Sequence, residues 1–379
     1  MVTTLALVVA LHGFDVRAFE HDRVVALANA ALHNAPRTIT SAANPRSAGG
    51  PHDFSSEGDY WWPDPANPDG PYIRRDGLTN PGNFTAHREL MMAMARDVGA
   101  LAAAYDLTRD EKYAAAATRH LRVWFVDEAT RMSPDLRYAQ AIKGITEGRG
   151  IGIIDTVHLA EVALAIDALR GSKSLEPATD TAITGWFSDY LEWMRTSKNG
   201  IEESLAKNNH GTCWLLQAAA FARLTGNEGA LAGCRERFIH EVLPNQMAAD
   251  GSFPLEMART KPYGYSIFNL DAVCALATVL STADEDLMKF QLADGRGPVR
   301  GVAFLAPFLA DKSKWPLKPD VMYWDDWPIR QHSLLFGAIA ANRGDWLETW
   351  KKLPADSDVP EIRRNTIIRF PTLWLRHLE

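Results

Sequence analysis

Cysteine is scarce in this sequence: Cys213, Cys234 and Cys274 are the only three, each in an apolar or helix-like run and none in a CxxC spacing. That excludes a disulfide framework and argues against a structural zinc site, so the three read as small buried hydrophobes. Basic charge is also short. With a formal net charge of −7 the chain has no general basic surface to attract nucleic acid. An anionic ligand would need a local cluster of Lys and Arg acting against the overall field. Long apolar runs are missing too. The opening MVTTLALVVALHG has no Lys or Arg before its apolar stretch and no A-x-A site before FDVRAFEHD. It reads poorly as a leader and is too short to span a bilayer, and no other stretch is expected to cross a membrane. Gly144, Gly148, Gly150 and Gly152 lie close together, but neither G-x-G-x-x-G nor G-K-[ST] is present and no strand leads in. A nucleotide site is therefore excluded, and the glycines are expected to let the chain turn tightly.

What remains is a globular composition, 46% hydrophobic and 23% charged over 379 residues, enough for a core that needs no covalent staples. Most of the chain has helical periodicity. FTAHRELMMAMARDVGALAAAY places Leu90, Met94, Val98 and Leu101 on one face, and KYAAAATRHLRVWFVD follows after DLTRDE. The unit returns in GTCWLLQAAAFARLTGNEGALAGCRERFIHEVL, in TVHLAEVALAIDALRGSKSL with TDTAITGWFSDYLEWMRTS, in SIFNLDAVCALATVLST and in HSLLFGAIAANRGDWLETWKKL. Hairpins that pair a very apolar helix with an amphipathic one predict an all-α fold of the α/α-toroid type, an incomplete barrel formed as one domain over residues 1–379. A superhelical stack of the TPR kind would need a fixed repeat length, and none is present.

Residues 34–83 break the pattern. They hold eight of the 21 prolines together with Tyr60, Trp61, Trp62 and Tyr72. Aromatics are costly to leave in water, so an ordered lid or binding loop over one mouth of the ring is expected rather than a disordered linker.

Three polar clusters precede apolar helices. In KNNHGTCW, one of Asn208 and Asn209 serves as a helix cap on the plainest reading, which leaves the second Asn and His210 unexplained. SFPLEMARTKPYGYSIFNLDA carries Arg259, Lys261, Tyr263 and Tyr265 in a Pro- and Gly-interrupted loop. Its plain reading is a surface turn with snorkelling basic chains and one packed tyrosine. RYAQAIKGITEGRGIGIIDTVHL carries Gln140, Lys143 and Arg149, with Asp155 expected to cap the next helix. In a toroid such helix ends share a rim, so the clusters would converge on one cleft. Trp and Tyr faces suit pyranose rings and Arg and Lys suit carboxylates, which points to an acidic polysaccharide as the partner.

Two reactions compete for such a substrate. Hydrolysis needs two flanking carboxylates, for which Asp59, Asp64, Asp325 and Asp326 are the candidates. Elimination needs donors that neutralise the uronate carboxylate, a Tyr or His to take the C5 proton, and an acid for the departing O4. It requires no metal, cofactor or covalent intermediate, and the three clusters hold every group it calls for.

The sequence resembles the alginate-lyase-type polysaccharide lyases. The likeness rests on NNHGTCW and FPLEMARTKPYGYSIFNLDA in series, with GDYWWPDP…NPDGPYIRRDG and GRGIGIIDT upstream, and runs from about His52 to about Thr278. It implies an α/α toroid that cleaves β-1,4-linked uronans, alginate or glucuronan, by β-elimination. It further implies Asn209 and Arg259 as carboxylate neutralisers, His210 as base or neutraliser according to the C5 epimer, and Tyr265 as the acid and, in syn elimination, also the base. Tyr263 is the alternative tyrosine. Substrate contacts are expected from Asn208, Gln140, Lys143, Arg149, Lys261, Trp61 and Trp62, and a periplasmic or secreted location follows from the same resemblance. A hydrolase on the same toroid and a non-catalytic sugar-binding protein are the rival functions.

Overall fold

Helices form where the Ala- and Leu-rich runs predict them, and the computed structural model describes residues 14–376. The N-terminal apolar stretch of residues 1–13 lies outside the described residues. The chain divides into two compact units, residues 25–233 and residues up to 24 with those from 234 onward.

In the first of these, Ala86–Thr108 and Glu111–Phe125 form a hairpin. Arg109 closes the first helix in the left-handed region, and the Asp110 side chain caps the second by accepting from the Lys112 backbone N–H at 3.1 Å. Leu159–Leu169 is buried nearly all round, whereas the amphipathic Pro177–Thr196 buries one stripe that includes Trp186, Phe187 and Tyr190. These rings join Phe125 and Phe221 in an aromatic core with centroids 4.6 to 5.7 Å apart. Each such side chain contributes about 1.5–3 kcal/mol on burial. The 34–83 segment is ordered. Ser55–Glu57 pairs in parallel with Tyr138–Ala141, and Trp61–Trp62 pairs antiparallel with Ile73–Arg74.

In the other unit Pro262–Leu280, Pro298–Ala310 and His332–Ala341 pack on one another, and His332–Ala341 forms a hairpin with Gly344–Lys352. Pro262–Leu280 corrects one expectation: by length and composition it is apolar enough to cross a membrane. Its apolarity on all sides is that of a core helix, since 94% of its most apolar window is buried.

Candidate active site

In the unit of residues 25–233, the short helix Lys198–Ser204 leads through a tight turn into the helix Asn209–Thr225. The turn demands glycine at 211, where an added Cβ would lie 2.0 Å from the Ala206 carbonyl oxygen. Asn208 holds the N-cap position in extended backbone, yet its side chain makes no capping hydrogen bond. The capping role that would explain one asparagine is therefore unused. Asn209 is buried at the first residue of the helix. His210 keeps 18% of its side chain exposed, and its Nδ1 lies 2.6 Å from Oε1 of Glu203, a buried carboxylate. A carboxylate only accepts, so Nδ1 carries the proton and Nε2 is left as the ring nitrogen not engaged by Glu203. Glu203 is a site residue that the sequence analysis missed.

A second group in this unit is built around Asp155, which is not a helix cap. It lies buried in the turn Gly150–Thr156, ahead of the helix Leu159–Leu169. It accepts from the Ser56 hydroxyl at 2.5 Å and from the Gln140 amide at 3.3 Å, and Arg88 reaches it at 3.5 Å. Gln140 departs from its expected role as a substrate contact. It is buried, with φ 50, and its Oε1 and backbone carbonyl both accept from Arg149, at 2.9 and 3.1 Å. Its amide thus bridges Asp155 and Arg149. That guanidinium lies 5.9 Å from the Trp61 ring centre, and burial, opposed by Asp155, pulls its pKa below the usual value. Trp61 and Trp62 are partly exposed, and Trp62 donates its indole N–H to the Leu78 carbonyl at 2.8 Å. Lys143 is exposed, with Nζ 5.7 Å from the Tyr72 ring centre.

The other unit carries Arg259 and Tyr265, both partly exposed. Arg259 donates to the Tyr265 hydroxyl at 3.2 Å, and its guanidinium lies 4.4 Å from the ring centre. Tyr265 belongs to the first turn of the helix Pro262–Leu280, which Asp320 holds from outside. The Asp320 carboxylate accepts from the backbone N–H groups of Tyr263 and Gly264 at 2.9 and 2.8 Å, a favourable place for negative charge at a helix N-terminus. Burial raises the Asp320 pKa all the same. Gly264 is needed here because an added Cβ would lie 2.9 Å from that carboxylate and 3.0 Å from the Trp327 indole nitrogen.

Two expected substrate contacts in this unit are corrected. Tyr263 is fully buried between Trp315 and Trp324 and donates its hydroxyl to the Phe308 carbonyl at 3.0 Å, which leaves Tyr265 as the outward member of the pair. Lys261 is buried against Glu361, with Nζ 2.6 Å from Oε1. Burial opposes its charge, but Glu361 and Tyr265 outweigh that and hold its pKa above the ordinary value. Its Nζ lies 5.3 Å from the ring centres of both Tyr265 and Tyr323.

The carboxylates considered for hydrolysis are otherwise engaged or exposed. Arg88 binds Asp59 through two hydrogen bonds at 2.8 and 3.1 Å, and Asp64 accepts from the Ala66 N–H within its own turn. Asp325 and Asp326 lie exposed in a turn.

The alginate-lyase family signature matches residues 38–315. The chain belongs to the alginate-lyase family. Membership makes it a polysaccharide lyase, with the all-α fold of the α/α-toroid type. A crystal structure of an alginate lyase from Bacteroides ovatus is 33% identical over 93% of each chain, with a TM-score of 0.80. Alginate lyase A1-III from Sphingomonas species A1, 15% identical, shares the fold with a TM-score of 0.50 over 91% of this chain and 92% of its own. No curated protein sequence is detectably similar.

Proposed function

We propose that this lyase depolymerises alginate by β-elimination at its β-1,4-linked uronate units. The observation that carries the reading is the contact of Arg259 with Tyr265, a guanidinium donating to a phenol hydroxyl at 3.2 Å. In the elimination a base removes the C5 proton, the electron pair left behind forms the C4=C5 double bond, the C4–O4 bond breaks, and O4 takes up a proton. The first step is feasible only when the carboxylate on C5 is neutralised, because the developing charge spreads into it. Arg259 brings a cation to that carboxylate and Asn209 a neutral donor. Tyr265, as the phenol, gives its proton to O4 when another group takes the C5 proton; in a syn elimination it starts as the phenolate, takes the C5 proton and then passes it to O4. His210 acts through Nε2 as base on the opposite C5 epimer or, when protonated on both nitrogens, as a further donor to the carboxylate. Arg149, Trp61, Trp62, Lys143 and Asn208 bind neighbouring sugar units.

Ultraviolet absorbance of the protein incubated separately with polymannuronate, polyguluronate, glucuronan and a neutral glucan tests the reading. Absorbance rising on an alginate block is the expected result. A rise on glucuronan alone would transfer the substrate. New reducing ends without absorbance would replace elimination by hydrolysis.

A further inference from the structure

Among the described residues four that are not glycine have positive φ: Arg109, Gln140, Tyr323 and Asn342. Arg109 and Asn342 close the helices Ala86–Thr108 and His332–Ala341 as left-handed C-caps, an ordinary use of that conformation. Gln140 is held by its bonds to Ser56, Asp155 and Arg149. Tyr323, with φ 64, is a bulky aromatic in a conformation that disfavours it, and it caps no helix.

Such strain persists only where the surroundings over-determine it. Here they do. Asp320, three residues earlier, is anchored on the Tyr263 and Gly264 N–H groups, and Val321 donates to the Thr260 carbonyl at 3.1 Å. Asp326 N–H closes the turn on the Tyr323 carbonyl at 3.2 Å. Lys312 donates to the carbonyls of Trp324 and Trp327 at 2.7 and 2.9 Å, while the Trp324 ring packs 5.3 Å from that of Tyr263.

These contacts place the Tyr323 ring against the Lys261 ammonium, the same cation that Tyr265 faces. The two tyrosines therefore flank one buried charge. Unlike Tyr263, whose ring is enclosed and whose hydroxyl is bonded, Tyr323 is partly exposed and its hydroxyl makes no hydrogen bond among the described residues. A tyrosine kept for packing alone would not need the strained backbone, because Gly or Asn would close the same turn without it. We propose that Tyr323 is a substrate-contacting residue, its ring face and hydroxyl meeting the pyranose unit held at Tyr265. This deepens the lyase reading above and rests on it.

The test replaces Tyr323 by Gly, which removes the contact and relieves the strain, and by Phe, which keeps ring and strain but removes the hydroxyl. Calorimetric binding of a mannuronate tetrasaccharide, with Tyr265→Phe present to prevent turnover, reads the contact directly. Tyr323→Gly should weaken that binding roughly tenfold, the scale of one lost aromatic contact, with no fall in Tm. Tyr323→Phe should give a smaller loss. In the enzyme with Tyr265 intact, KM should rise while kcat holds. Unchanged binding in the Gly variant, or a drop in Tm that accounts for the loss, would overturn the proposal. Tetrasaccharide binding without unsaturated product from the parent enzyme would sink the lyase reading alone, and the calorimetry would still decide Tyr323. A parent that neither binds nor turns over would sink both.

Discussion

Glu203 holds His210 through a 2.6 Å contact to Nδ1, from a carboxylate whose own side chain is only 3% exposed. The pairing fixes both the ring orientation and the nitrogen that carries the proton. Glu203→Ala is expected to lower kcat/KM by roughly 10- to 100-fold, as loss of an outer partner of a functional histidine does. Glu203→Gln, whose amide oxygen still accepts from Nδ1, should recover part of that. In a His210→Ala background neither change should matter further, and a steady-state double-mutant cycle checks it. Additive losses would make Glu203 a residue of the fold only.

Tyr265→Phe keeps the ring under the Arg259 guanidinium and deletes the proton. It should fold normally and lose at least ~10²-fold in kcat. Arg259→Ala should lose about 2–4 kcal/mol of transition-state stabilisation, seen in kcat/KM. A change confined to KM would demote Arg259 to substrate positioning.

Lys261 and Glu361 form a buried ion pair, and Arg364 lies 3.5 Å from Glu361 as a second cation, so loss of Lys261 leaves Glu361 a partner whereas loss of Glu361 takes the carboxylate from Lys261. Glu361→Leu alone is expected to cost about 3–5 kcal/mol of stability, and the double change with Lys261→Met much less. Urea unfolding of the three variants measures this. A single change as mild as the double one would mean that the pair does little for stability.

Stability should depend on pH through two buried groups with opposite signs. Burial raises the Asp271 carboxyl to about 7, although it accepts from the Ser333 N–H at 3.1 Å. The folded protein then keeps a proton that the unfolded chain releases near 3.8, so stability falls as pH rises from about 4 to 7. His332 is pushed well below its ordinary value by burial, its Nδ1 accepting from the Trp350 indole, so stability falls as pH drops below 6.5. Between about pH 4 and 6.5 the two slopes oppose each other. Asp271→Asn should remove one of them, so the variant gains most over the parent at pH 7 to 8 and loses stability more steeply on acidification. Denaturant unfolding at several pH values checks it, and a difference between the proteins that does not vary with pH would refute the assignment.

Local signals carried far in this sequence. The helical hairpins follow from periodicity, and the motifs NNHG and KPYGY fall at helix starts, where the interruptions by Gly and Pro put them. Contacts between distant segments were not legible. Nothing in YGY says which tyrosine is enclosed. That is decided by Phe308, Trp315 and Trp324, which approach from residues far along the chain. Asp320 lies 57 positions from the N–H of Tyr263 that it holds. Gln140 looked like a ligand group because its side chain is polar, and its bond to Asp155 shows only in three dimensions. Glu203 is one of two adjacent glutamates in a polar helix, and the fold alone selects the one that faces His210. Pro298–Ala310 contains Pro307, a residue that argues locally against the helix observed.

The position of Asp271 bears on how the chain is sorted before it folds. It falls midway along Pro262–Leu280, the one helix among the described residues with the length and apolarity of a membrane span. An aspartate at the centre of such a segment opposes partition into the bilayer by about 2.5–3.5 kcal/mol on the insertion scale. The carboxyl that weakens the finished fold at neutral pH thus also weighs against insertion of this segment into a bilayer. A substitution chosen to stabilise the core at this position would make the segment a better stop-transfer sequence.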